Sequence, residues 1–276
     1  MSKGLINKHQ HGFISKHSTI TNLLECTHDW SLAFHGKLPV DAIYIDFSKV
    51  FDNVVHCKLI HKLQTFGING LLLKWITAFL HGRSQCVVVE NRYFSWSKVI
   101  SGVPQGSVIG PMLLILFIND NSNITVNVIS TKLYADDLKL YTSLTSTDDS
   151  NNLQDVLSNL LVWSKDWQLA VNASEAHVLH LHKNNPLMEY YFDGKRIESC
   201  DLVNDIGVDI DPVLHFDKHI DRIVAKAYSR IGLLLRRFVS RNLRVFRQAY
   251  NIGKPLCRTN NFKNDFFNRR VSAWNS

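Results

Sequence analysis

Two adjacent carboxylates, Asp136 and Asp137, sit between two short apolar runs, Val126–Leu133 and Leu138–Leu144. Acids side by side repel, and Asp is depleted in strands. The flanking runs therefore read as strands and the acid pair as a tight hairpin turn between them. A solvated turn is the plain interpretation, because Asp is at home where it can bond its own backbone. The alternative is a site that binds a cation. Two further features favour it: a third acid, Asp46, closes the apolar strand that begins at Val40, and a loop with two glycines and a proline, Ser101-Gly102-Val103-Pro104-Gln105-Gly106-Ser107, lies between the acid segments.

Several elements must carry these groups. Gln10-His11-Gly12-Phe13 precedes a helical pattern with Ile20, Leu23 and Leu24, for which Ser18 or Thr19 is a plausible N-cap. Nothing in that piece is catalytic by itself. After Asp46, helical segments are expected over about Cys57–Phe66 and Gly70–Leu80, and a hairpin over Ser84–Val89 and Tyr93–Ile100. Asp46 standing alone could simply cap a helix start. The Gly/Pro loop lets backbone approach a ligand closely, and a helix following it would aim its first amides at an anion. The loop lacks the Gly-Lys-Ser/Thr ending of a Walker phosphate loop. Beyond the acid pair, Leu153–Trp167 is amphipathic, and a strand at Ala176–Leu181 carries His177, His180 and His182. No fourth ligand at zinc spacing accompanies these histidines, so a structural role is expected for them. Asp205–Val208 reads as a further short strand. His219–Phe238 reads as a helix with an apolar stripe (Ile220, Ile223, Ala227, Ile231, Leu234) and a basic one (Arg222, Lys226, Arg230, Arg237).

The 276 residues allow one large domain or two small ones. A hydrophobic fraction of 45% is enough for a core. The five cysteines are scattered, which argues against a disulfide framework and for buried free thiols. The apolar run Val108–Ile118 is too short to span a bilayer and is broken by Gly110-Pro111. With no signal-like apolar segment at the start, the chain is expected to be soluble and intracellular, without membrane contact. The net charge of +7 is unevenly placed. From Arg222 onward there are thirteen Lys/Arg and one acid, against 18 bases and 23 acids before it. Such asymmetry points to a polyanionic partner, most simply nucleic acid, although a solvated basic helix face would look the same.

The ordered set Asp46-Phe-Ser-Lys-Val-Phe-Asp52, Ser101–Ser107 with Gly110-Pro111 and Ile118-Asn119-Asp120, and Tyr134-Ala135-Asp136-Asp137 resembles the reverse transcriptases of non-LTR (LINE-type) retrotransposons. Trp163-Ser-Lys-Asp-Trp167-Gln-Leu with Asn172, and Ile206-Gly207-Val208 with His219 and Lys226-Ala227, are similar to motifs that follow in that family. The likeness covers about Leu5–Tyr250. It implies an α+β, right-hand polymerase fold. Residues 1–215 would form partial fingers and a palm with an antiparallel sheet, 216–250 partial thumb helices, and 251–276 a C-terminal remnant tail. It implies RNA-directed DNA polymerisation by two Mg²⁺ (or Mn²⁺) ions, with an RNA template, a DNA primer and deoxynucleoside triphosphates as partners. Two such ions, about 3.5–4 Å apart, need hard oxygen ligands from separate segments. By resemblance Asp46 and Asp136 are the principal ligands and Asp137 the adjacent acid. Phe51 falls where the family excludes a ribose 2′-hydroxyl, and Gln105 and Gly106 fall in the loop lining the nucleotide and template pocket.

The sequence departs from the family in three places. Ile14 and His17 stand where Arg is frequent. Glu175 stands three residues after Asn172, where a Lys usually serves the leaving pyrophosphate. Arg258–Asn275 looks like the far end of such reading frames, joined almost directly to the thumb. A truncated, internally deleted copy is the expectation, with a catalytically inactive remnant that still binds nucleic acid as the alternative. A metal-dependent hydrolase is the third and weakest reading.

Overall fold

The computed structural model describes residues 5–121 and 128–250, with residues 237–250 described through their backbone alone. The expected tail 251–276, Cys257, and the start of the apolar run at Val126 lie outside the described residues. In chain order, the helix α1 (Thr19–His35) leads to strand β1 (Val40–Ile45), the single turn α2 (Val50–Asn53), and helices α3 (His56–Thr65) and α4 (Gly70–Leu80). Four two-residue strands follow: β2 (Ser84–Gln85), β3 (Val88–Val89), β4 (Arg92–Tyr93) and β5 (Ser97–Lys98). Helix α5 (Gly110–Ile118), strands β6 (Ser130–Tyr134) and β7 (Asp137–Ser143), helix α6 (Thr147–Trp167) and strand β8 (His177–Leu181) come next. The short strands β9 (Tyr191–Phe192), β10 (Lys195–Arg196), β11 (Glu198–Ser199), β12 (Val203–Asp205) and β13 (Val208–Ile210) precede the long helix α7 (Asp217–Tyr250).

Local chemistry sets several of these boundaries. The Ser18 hydroxyl accepts from the Thr21 amide while the Thr21 hydroxyl accepts from the Ser18 amide, a reciprocal cap that fixes the start of α1. Ser146 and Asp149 do the same for α6, six residues earlier than the apolar periodicity alone placed it. The expected hairpin over 84–100 forms, as two short ladders (β2 with β5, β3 with β4). Asp205–Val208 is a correction: it is not a strand but the turn of a hairpin, with Ile206 and Gly207 at positive φ between β12 and β13.

The central sheet has the order β11-β8-β1-β7-β6. β1 is antiparallel to both β7 and β8, and β6 to β7, while the edge strand β11 runs parallel to β8, so the sheet is mixed rather than wholly antiparallel. Alternation along each strand divides the side chains between two cores. Ile43 and Ile45 of β1 with Leu138 and Leu140 of β7 face a large cluster that takes in α3, α5 and α6. Val40 and Ala42 with Tyr141 face a smaller one that includes Cys26, Trp30 and Ala33 of α1. Helix α5 is buried nearly all round, as its unbroken apolar sequence requires.

Three motif residues, Asp120, Trp163 and Trp167, serve this architecture. Asp120 accepts from the buried ammonium of Lys62 at 2.6 Å and from the Trp163 indole at 3.1 Å, and the Trp167 ring lies 3.5 Å from the same ammonium. One cation thus ties α3 to the end of α5 and to α6, paired and ring-stacked as a buried charge must be. Among the strand histidines, His180 bonds the fully buried Asp41 at 2.7 Å, in line with a structural role, and Tyr190 and Asn185 also donate to that carboxylate.

The free thiols are not uniformly buried as expected. Cys26 is buried, Cys86 and Cys200 are half-buried and Cys57 is exposed. Among the described residues no helix is long and apolar enough to cross a membrane. The chain divides into two compact units, residues 1–219 and 220–276. In the second, Ile220, Ile223, Ile231 and Leu234 of the expected inward stripe stand exposed among the described residues.

Candidate active site

The three acids are brought to one end of the sheet. Ile45, the last residue of β1, pairs with Leu138, so Asp46 leaves the sheet where Asp137 begins β7. Tyr134 pairs with Asp137, leaving Ala135 and Asp136 as a two-residue turn. Strand alternation puts Asp46 on the side of Tyr44 and Asp137 on the side of Lys139, and Tyr44 and Lys139 are themselves paired. Asp46 and Asp137 accordingly line one open cavity of about 360 Å³, together with Tyr44, Lys139, Glu175 and His177. Asp136 sits half-buried at the turn and is not part of that lining.

The carboxylates feel one another. Burial raises Asp46 to about 6, helped by a hydrogen bond with Glu175 and by the charges of Asp136, Asp137 and Glu175. Burial and the charges of Asp136 and Asp205 raise Asp137 to about 6, with Lys139 opposing. Burial raises Asp136 as well. In each of these acids the ionised form is disfavoured, and a positive charge arriving nearby would favour it.

Glu175 reaches Asp46 because the loop after α6 is stapled to β1. The Ser48 amide donates to Ala170 O and the Asn172 amide to Asp46 O, both at 2.9 Å, and the Glu175 amide then donates to Asn172 O at 3.0 Å. The floor of the cavity was not legible as a site. There Lys139 is paired with Asp205, both almost fully buried, and Tyr44 donates to the same carboxylate at 3.3 Å. Lys139 also stands 5.5 Å from the Trp30 and Tyr44 rings. Asp205 comes from the β12–β13 hairpin, far along the chain, so no local pattern announces it. His177, assigned a structural role from sequence, lines the cavity, and its Nδ1 is without a hydrogen-bond partner among the described residues.

The Gly/Pro loop forms a second group. The Gly102 amide donates to Val54 O at 2.8 Å and the Val103 amide to Phe51 O at 2.7 Å. A Cβ on Gly102, whose φ is +87°, would stand 2.8 Å from Phe51 O, so only glycine permits this approach. The Gln105 side-chain Nε2 donates to the Asp52 carboxylate at 3.3 Å. Phe51 and the exposed Gln105 and Gly106 are thus held beside the residues that follow Asp46, but none of them lines the carboxylate cavity.

Hard carboxylate oxygens suit a divalent cation such as Mg²⁺. Among the described residues no three His, Cys, Asp or Glu side chains are grouped closely enough to form a closed metal centre. What exists is an open pair, with further acids close enough to act through their charge.

The sequence profile of the family described as reverse transcriptase (RNA-dependent DNA polymerase) matches residues 2–197. The chain belongs to that family. It is 25% identical over 265 residues to a probable RNA-directed DNA polymerase from the transposon X-element of Drosophila melanogaster, covering 90% of this chain and 28% of the relative. It is 29% identical over 265 residues to the corresponding protein from the transposon BS of the same fly, covering 89% and 28%. The chain therefore sides with the non-LTR, LINE-type members of the family, as its motifs implied, and spans little more than a quarter of the length of those relatives. Its fold is similar to that of a telomerase from Candida tropicalis solved with a fragment of telomeric RNA, with a TM-score of 0.54 at 12% identity, over 78% of this chain and 34% of that one. The architecture is thus a reverse transcriptase-like polymerase fold of mixed α and β content.

Proposed function

We propose that this chain is the core of an RNA-directed DNA polymerase, extending a DNA primer on an RNA template with deoxynucleoside triphosphates. The observation that carries the reading is the convergence of Asp46 with the Asp136-Asp137 turn at one end of paired strands. On this reading the β-sheet is the palm, the N-terminal segment and α3–α5 belong to the fingers, and α7 is the start of a thumb whose basic residues face duplex phosphates.

Asp46, Asp136 and Asp137 would hold two divalent ions, most simply Mg²⁺. When bound, these ions would supply activation of the primer hydroxyl and neutralisation of the triphosphate. An open pair of carboxylates fits that use, because Mg²⁺ is commonly held by one or two carboxylates plus substrate phosphates and water rather than by an all-protein cage. Phe51, fixed through its carbonyl by Val103, would exclude a ribose 2′-hydroxyl, and Gln105 and Gly106 would meet the incoming nucleotide and template. Primer extension by the purified chain with Mg²⁺, compared with Asp136→Ala, tests this. The expected result is product from the first protein and none from the second, and equal product from both ends the proposal.

One observation favours a second reading, a silent remnant that binds nucleic acid. Glu175 adds a negative charge beside Asp46, where a departing pyrophosphate would gather. A positioned proton donor is worth about 10²–10⁴ in rate. Glu175→Lys is therefore expected to raise primer extension by about tenfold or more over the unmodified chain, measured at saturating triphosphate. If neither protein extends a primer while both bind duplex in a salt-dependent way, the silent reading holds instead.

A further inference from the structure

The segment His9–Phe13 runs alongside β6 and ends against the acid turn. The Leu133 amide donates to His9 O at 2.9 Å and the His11 amide to Leu133 O at 2.8 Å. This places the side chain of Gln10, almost wholly buried, over Ala135. Its amide nitrogen donates to Ala135 O at 3.0 Å, and its amide oxygen accepts from the Ala135 amide at 2.9 Å. That oxygen also accepts from the Gly12 amide at 2.7 Å. One primary amide thereby satisfies both backbone groups of the residue immediately before Asp136-Asp137.

Ala135 needs such a hold. Its φ is +54°, the left-handed region, at a tight-turn position where glycine is the usual choice. A Cβ there is strained, and the conformation persists only when its surroundings over-determine it. Gly12 completes the fit: a Cβ at that position would stand 2.2 Å from the Ala135 nitrogen, so any side chain would push the turn away.

We infer that Gln10, seated through Gly12, is a positioning residue for the catalytic carboxylates: its two-handed bond to Ala135 locks the turn that presents Asp136 and Asp137 to a divalent cation beside Asp46. The inference rests on the polymerase reading of that site. A hydrogen-bond partner that orients a metal ligand typically changes metal affinity by 10–100-fold when lost. The test is Mn²⁺ binding to the full chain, read from the electron paramagnetic resonance of free Mn²⁺, with thermal midpoints recorded in parallel.

Gln10→Ala and Gly12→Ala are each expected to weaken Mn²⁺ binding by about tenfold. Leu181→Ala, a core truncation at the opposite end of β8, serves as the destabilised control and is expected to leave the affinity unchanged. Asp46→Ala and Asp136→Ala are expected to remove the binding. If those two variants lose Mn²⁺ while Gln10→Ala and Gly12→Ala bind as the original chain does, the inference fails and the polymerase site stands. If Leu181→Ala weakens binding as much as Gln10→Ala, the effect is general destabilisation and the inference fails. If Asp46→Ala and Asp136→Ala bind normally, the metal site itself is refuted, and the inference with it.

Discussion

Replacing Asp46 with Asn is expected to lower primer extension by about a thousandfold or more while raising the thermal stability of the metal-free protein. On the proposed polymerase reading, the activity loss would follow from removing a metal ligand that stabilises several kcal/mol of charge in the transition state, at about 1.4 kcal/mol per tenfold. The gain in stability follows from the environment of Asp46, where burial, Glu175 and the neighbouring acids raise the carboxyl to about 6. The ordinary value is 3.8, so between roughly pH 4 and 6 the folded protein binds more protons than the unfolded one. Stability contributed by this group is therefore lost as pH rises through that window, and above it the ionised side chain opposes folding in full. Asn keeps the shape without the charge. The two proteins should melt together near pH 4 and diverge above pH 6 in the presence of a chelator, with the Asn variant melting higher. Thermal denaturation across that range checks the sign, and a variant that melts lower at pH 7.5 would show that Asp46 is not held among repelling acids.

The second large effect concerns the floor of the same cavity. Asp205→Ala strands the buried ammonium of Lys139, which is only 5% exposed. Removing one partner of a buried pair costs about 3–5 kcal/mol, because the remaining charge stays desolvated. For a folding unit of this size that is a fall in melting temperature on the order of 10 °C. The double variant Lys139→Met with Asp205→Asn removes both charges, keeps an acceptor for the Tyr44 hydroxyl, and is expected to recover most of the loss. Chemical denaturation of the single and double variants measures the coupling directly. Single and double variants of equal stability would mean that the pair is solvated rather than buried.

These two cases also show what kind of site this is. Asp46 and Asp137 project from neighbouring strands toward solvent, and two residues further into each strand Tyr44 and Lys139 meet Asp205 in the core. The acids that would bind a cation are poorly stabilised on their own, whereas the pair beneath them is neutralised and fixed. Strain of this sort at a binding surface, supported by a satisfied layer below, is a common cost of function.

The chain's own order of residues determined much of this. Apolar runs on either side of Asp136-Asp137 dictated a hairpin, since the runs favour strands and the acid pair between them favours a turn. Unbroken hydrophobicity dictated that α5 be buried, and the reciprocal hydroxyls at Ser18 fixed the start of α1. The identity of the three acids, and the family to which their order belongs, were readable because each motif is local and carries its chemistry within a few residues. The sequence did not determine which distant groups would meet. Gln10 and Ala135 are separated by 125 positions and Tyr44 and Asp205 by 161, and a hydrogen bond between such residues leaves no periodic trace. Register alone decided that Asp46 and Asp137 share a face, and loop stapling alone set Glu175 against them. In the second unit, Ile220, Ile223, Ile231 and Leu234 have the spacing of a packed face yet stand exposed, because periodicity specifies a face but does not cover it.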